Sequence, residues 1–267
     1  MSVTLRSDDT TVPTSISAHR HVPRDWPHII KTIDFAFQPI ISTHTGRVFG
    51  YEALLRNWSE AGFDSIQDVF DTAWENDVLH RVDMEFRAVV INKFARLPNA
   101  DKLKLFYNFD SRVVRTADYR PGQTLELLIA AGLGPDAMCL EISERHDISH
   151  AHNFQDILLR YRAQGFKVAI DDYGSGFAQM RALYDCEPDI IKIDRFFIDG
   201  MDKDRRKELF VTQITGFSHM IGAQVVAEGV ETLEELMCCR RVGCDFVQGF
   251  FIARPSVTLP ERTDIIP

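Results

Sequence analysis

The chain has 267 residues, 45% apolar and 26% charged, with a net charge of -9. That length carries one large domain or two small ones, and the acidic balance argues against general nucleic-acid binding, which needs a basic footprint. No apolar run reaches the roughly 18 residues that cross a membrane. The five cysteines, odd in number and without a CxxC pair, read as reduced thiols of a cytoplasmic protein.

Residues 1–28 lack the apolar core of a signal peptide, and their Ser, Thr, Asp and Pro content predicts a flexible leader or linker. One domain is expected over 29–267. DFAFQPIIS (34–42) and RVFGYEALLR (47–56) read as two strands joined by the turn THTG, hence a hairpin. Helical patterns follow over 65–74 and 79–94, then a strand in KLKLFYNF (102–109) and a helix in GQTLELLIAAG (122–132). From residue 137 strands and helices alternate. The strands are AMCLEISE, FKVAIDD, DIIKID, AQVVAEGV and CDFVQG. The helices begin near His150, Phe177, Asp202 and Thr232, with Gly165 and Gly243 as stops. Short apolar strands alternating with helices mean parallel βα units, and about eight strands in this length predict an α/β fold, a TIM-like (β/α)8 barrel with one antiparallel strand near the N-terminus. An open doubly wound sheet is the alternative, but no glycine-rich phosphate loop follows an early strand.

In such a barrel the reactive residues stand at the C-terminal strand ends. Those ends offer Glu52, Asn108, Glu141, Asp171 with Asp172, Lys192 with Asp194, Glu228 and Gln248. Each alone reads as a cap, a turn residue or a solvated acid. Together, a ring of carboxylates repels itself unless cations answer it. The donors are carboxylate and amide oxygens, which suit Mg²⁺ or Mn²⁺ better than zinc. Adjacent Asp171 and Asp172 suit two ions, an arrangement that splits phosphate esters. Lys192, the cation of the ring, either neutralises its neighbours or holds or deprotonates a water. His146, His150 and His152 form a loop and helix start rather than a metal site, and Trp26, Trp58 and Trp74 read as packing residues.

The motifs FQPI, YEALLR, LEISE, DDYGSG, IKID, AEGVE and QGFFIARP together resemble the EAL domain, the cyclic di-GMP phosphodiesterase family, from about Asp34 to Pro255. The resemblance implies hydrolysis of cyclic di-GMP to linear pGpG with two Mg²⁺ or Mn²⁺ ions and a homodimer. Ca²⁺, with its looser and larger coordination, is expected to inhibit, and the leader hints at an upstream sensor domain. It implies metal ligation by Glu52, Asn108, Glu141, Asp171 and Asp172, with Glu228 beside them, and places Lys192 at the catalytic water. Substrate positions fall on Gln38, Leu54, Arg56, Asn108, Asp194, Gln248 and Pro255. Glu144 and Glu231 match glutamates that steady loops. Tyr173, Phe177-Ala178-Gln179 and Asp110 depart from the family's usual Phe, Tyr-Ser-Ser and Ser, and none of them is an implied metal ligand. A receptor that binds cyclic di-GMP and signals through a protein contact is the alternative activity. A barrel lyase using Lys192 as a base is a more distant one.

Overall fold

The computed structural model describes residues 24–143, 152–174 and 179–259. The expected leader as far as residue 23, Glu144, His146, His150, Phe177 and Ala178 lie outside the described residues. Eight strands close into one barrel in sequence order. They are β1 (Asp34–Ser42), β2 (Val48–Arg56), β3 (Lys104–Asn108), β4 (Met138–Ile142), β5 (Lys167–Tyr173), β6 (Ile190–Ile193), β7 (Gln224–Ala227) and β8 (Phe246–Val247). β1 runs antiparallel to both β2 and β8, and every other pairing is parallel. The barrel and its one reversed strand agree with the expectation.

The helices are α1 (Trp26–Thr32), α2 (Ile66–Glu75), α3 (Leu79–Phe94), α4 (Gln123–Ala130), α5 (His152–Ala163), α6 (Gln179–Cys186), α7 (Arg195–Ile198), α8 (Arg205–Met220) and α9 (Leu233–Val242). Helix α1 begins inside the segment expected as leader. Asp25 caps it, and buried Trp26 packs on Phe63. The single turn α7 carries no helical period of its own, so its pattern is invisible in sequence. Between helices and barrel lies the main core, where Val82, Phe86, Val90 and Phe94 of α3 are fully buried. Burial of each such side chain stabilises the fold by about 1.5–3 kcal/mol.

Inside the barrel the side chains stack in two layers. The lower one is apolar and contains Ile40, Phe106, Cys139, Ala169, Ile190, Val226 and Phe246. Phe49 stacks on Phe246 with ring centroids 3.9 Å apart. Side chains two residues apart share a strand face. The next inward position on these strands therefore carries Asn108, Glu141, Asp171, Lys192, Glu228 and Gln248. On reversed β1 the corresponding step runs backward from Ile40 to Gln38. One apolar layer thus seals the barrel, and the layer above it is almost wholly polar.

Candidate active site

Lys192 is the centre of that polar layer. Its side chain is fully buried, and its Nζ lies 2.5 Å from Glu141 Oε1, 2.8 Å from Asp171 Oδ1, 2.8 Å from Glu228 Oε1 and 3.4 Å from Glu52 Oε2. Burial alone would lower the lysine's pKa. Asp171, Glu141, Glu228 and Glu52 outweigh it and hold the pKa well above the usual lysine range. Burial pushes the Glu141 and Glu228 carboxyls well up, Lys192 opposes this in both, and the neighbouring acids add to it. One ammonium facing four carboxylates leaves an excess of negative charge in a low-dielectric space.

Two amides tie the acids together. Asn108 Nδ2 donates to Glu52 Oε1 (3.3 Å) and to Glu141 Oε2 (3.2 Å). Gln248 Nε2 donates to Glu52 Oε2 (2.6 Å) and to Gln38 Oε1 (3.2 Å), while Gln38 Nε2 donates to the Ala253 carbonyl. Glu52 is thereby fixed from three sides. It stands in the middle of β2 rather than at its end, because the hairpin continues past the rim: Leu54, Leu55 and Arg56 pair with β1.

A regular strand would turn Asp171 and Asp172 to opposite faces. Here the β5–β6 register jumps from Ile170↔Ile191 to Tyr173↔Ile193, one extra residue on β5, and Asp172 takes a left-handed φ of 52°. That bulge re-aims the second carboxylate. Oxygen atoms of Asp171, Asp172 and Glu228 come within 4.8 Å of one another, a group that can hold a cation. Gly174 follows with φ 112°, and a Cβ there would run into the Phe197 ring, so the exit from the bulge requires glycine.

The mouth has two lobes that meet at Glu52 and Leu54. One, of about 310 Å³, reaches from the carboxylates to the apolar wall of Phe35, Ile66 and Phe70. The other, of about 200 Å³, is bounded by Arg195, Glu231 and Phe250. The structure thus brings together Gln38, Glu52, Leu54, Asn108, Glu141, Asp171, Asp172, Lys192, Glu228 and Gln248. Glu231 lines the smaller lobe, whereas Asp194, Arg56 and Pro255 stand apart from both. Asp194 caps α7 through the Phe196 N–H (2.7 Å). Arg56 donates to the Leu55 carbonyl, and burial lowers its pKa while Glu52 raises it. Pro255 adjoins the bridge between Ser256 and Phe37. Glu231 pairs with Arg195 at 2.8 Å.

Two residues near the mouth carry no sequence motif among those above. Arg195 directly follows IKID, and its stem lies across Gly229, where a Cβ would displace it. Glu235 closes a capping box on α9 and also accepts the Gly200 N–H (2.8 Å). The TxxE spacing from Thr232 was the available signal for Glu235.

This fold and mouth define a TIM-like barrel whose C-terminal end is acidic and centred on lysine. The chain belongs to the EAL domain family, whose pattern it matches over residues 28–255. An uncharacterized protein of Azorhizobium caulinodans is 32% identical over 240 residues, which cover 84% of this chain and 32% of that protein. A cyclic di-GMP phosphodiesterase of Pseudomonas aeruginosa is 30% identical over 234 residues, 85% of this chain and 39% of that one. The matched region spans 27–32% of the length of three such curated relatives. Among solved structures, a calcium and cyclic di-GMP complex of BlrP1 from Klebsiella pneumoniae superposes with a TM-score of 0.74 at 30% identity, over 88% of this chain and 58% of that one. A standalone EAL protein from Vibrio cholerae, bound to cyclic di-GMP, gives 0.73 at 26% identity, over 85% and 94%. No helix among the described residues is long and apolar enough to cross a membrane.

Proposed function

We propose that this chain hydrolyses cyclic di-GMP to linear pGpG with the help of two Mg²⁺ or Mn²⁺ ions. The observation that carries the reading is the buried excess of carboxylates around Lys192, in a mouth with two lobes. The donor set fits divalent cations: Glu52, Asn108, Glu141, Asp171, Asp172 and Glu228 supply hard oxygens, the ligands that Mg²⁺ and Mn²⁺ take. When bound, such ions neutralise phosphate charge and make water a better nucleophile at neutral pH.

The chain's own residues do the rest. Lys192, surrounded by acids, is an ammonium and acts as a donor. It orients the attacking water opposite the departing 3′ oxygen. The water's proton passes to a neighbouring carboxylate, the P–O3′ bond breaks as the new P–O bond forms, and the 3′ oxygen takes a proton from solvent. Gln248 and Gln38 hold Glu52 so that its oxygens stay aimed at the reacting centre, and Asn108 couples Glu52 to Glu141. Arg195 faces a phosphate of the second nucleotide from the smaller lobe, where a guanidinium suits phosphate oxygens. Leu54, between the lobes, separates the two halves of the ring. The apolar wall of the larger lobe takes one guanine face.

A cytoplasmic location, a homodimer and an upstream sensor domain belong to the same proposal. The relatives' greater length supports the sensor. The test is to incubate the purified protein with cyclic di-GMP and Mn²⁺ and to separate the products by chromatography. pGpG should accumulate, and Ca²⁺ in excess should suppress it. No pGpG above a Glu52→Ala control refutes the proposal, and tight binding without turnover would make the protein a receptor instead.

A further inference from the structure

Helix α3 carries an ion pair withdrawn from water. Asp83 and Arg87, one turn apart, are 0% and 1% exposed, with Oδ2 and Nη2 2.5 Å apart. Two charges that lose their hydration stabilise a core poorly compared with apolar packing. What the pair touches therefore decides its role.

Asp83 Oδ1 accepts the Tyr107 hydroxyl at 2.9 Å. Arg87 Nη1 donates to Thr124 Oγ1 of α4 at 2.6 Å and to the Tyr161 hydroxyl of α5 at 3.2 Å. The guanidinium carbon lies 5.5 Å from the Tyr107 ring centroid and 5.0 Å from that of Phe109. Tyr107 and Phe109 are the two neighbours of Asn108. Strand alternation turns them outward, toward α3, and turns Asn108 inward, to Glu52 and Glu141. β3 ends at Asn108, and the chain soon enters the 3-10 turn Ser111–Arg115. The inward amide thus sits at the last residue of its strand, with both flanking rings against one guanidinium.

We propose that Arg87, held by Asp83, is a positioning residue for the reaction. It grips both aromatic neighbours of Asn108 from outside the barrel and so sets where the Asn108 carboxamide stands between Glu52 and Glu141. The proposal rests on the role given to Asn108 above. Arg87 itself touches no reacting atom.

The test replaces the pair together, Asp83→Leu with Arg87→Met, so that no lone charge remains in the core. Selective ¹⁵N-asparagine labelling reads the Asn108 side-chain amide directly, and steady-state kinetics with cyclic di-GMP and Mn²⁺ read the consequence. The folded variant should show a displaced or broadened Asn108 amide signal, a kcat about tenfold lower and a KM changed less than twofold. Arg87→Lys, which keeps the charge but not the flat fork, should reproduce most of the kcat loss. Adding Asn108→Ala to the paired variant should cost far less than Asn108→Ala costs the parent, because both act through one amide. If the paired variant does not fold, Tyr107→Phe and Phe109→Leu take its place and should shift the same signal by less. An unchanged Asn108 signal with kcat within twofold of the parent, or full additivity with Asn108→Ala, overturns the proposal. A shifted amide in a protein that never turns over cyclic di-GMP would leave the positioning role standing and remove the phosphodiesterase reading.

Discussion

Lys192→Met is the most informative single substitution. It keeps an unbranched stem, one atom shorter, and deletes the ammonium that faces Glu141, Asp171, Glu228 and Glu52 at 2.5–3.4 Å. Breaking a buried pair costs about 3–5 kcal/mol, because the partner is left charged and unsolvated. In a domain of this size 1 kcal/mol shifts Tm by about 2–4 °C, so the metal-free variant should melt about 6–20 °C below the parent at pH 7. Two conditions should narrow that gap. Mn²⁺ at a hundred times its Kd adds about 2.7 kcal/mol per site, and the variant should gain more from it than the parent, since cations then answer carboxylates that no ammonium answers. Lower pH should also help. Burial raises the folded-state pKa of Glu141 and Glu228, so the native state binds protons more tightly than the unfolded chain. The stability associated with them is present below the unfolded glutamate pKa of about 4.3 and is lost as pH rises through the folded values. Differential scanning fluorimetry across pH 4.5–8, with and without Mn²⁺, measures all three. A variant that melts with the parent at pH 7 without metal, or gains no more from Mn²⁺ than the parent, would refute the arrangement of four acids around one lysine.

Other outcomes follow from single contacts. Asp171→Asn should leave the fold intact by circular dichroism and abolish pGpG formation, and persisting activity would remove the bulge carboxylate from the site. Gly174→Ala places a Cβ against the Phe197 ring at a φ that side chains resist. It should cost at least about 1–3 kcal/mol in chemical denaturation and lower turnover, because the bulge that aims Asp172 must shift. Glu235→Ala removes a carboxylate that accepts the Gly200, Glu231 and Thr232 N–H groups, and about 1–2 kcal/mol should be lost. Burial tends to raise the Glu235 pKa, but those three donors outweigh it and the net shift is downward. Its contribution is therefore present above the unfolded pKa of about 4.3 and disappears as pH falls through the folded value. The difference between parent and variant should narrow in urea titrations as the pH is taken below the unfolded glutamate pKa of about 4.3.

The polar residues of the mouth were legible one strand at a time. The short continuous apolar runs before Glu141, Lys192 and Glu228 mark buried parallel strands with a polar residue at the C-terminal end, and that much is plain in the letters. The parity of β5 misleads, because it sends Asp171 and Asp172 apart, and the bulge that reunites them is a register shift against β6. Register depends on a partner strand and not on local sequence. Glu52 reads as a strand end, yet it lies mid-strand because only the closed hairpin shows how far β1 and β2 outrun the rim.

Asp83 and Arg87 show the opposite failure. An acid and a base one turn apart on a helix read as a solvated surface pair, and only the packing of α3, α4 and α5 over Tyr107 takes them out of water. The sequence by itself determined the alternation of strands and helices and the kinds of donor at the strand ends, because these depend on residue type and short-range period, and its motifs carried the resemblance to the EAL family. Tertiary structure alone decided that four of those acids converge on Lys192 and that one arginine holds both neighbours of Asn108. Convergence is a property of distances across the closed barrel, between residues as far apart in the chain as Glu52 and Lys192, and no local pattern encodes it.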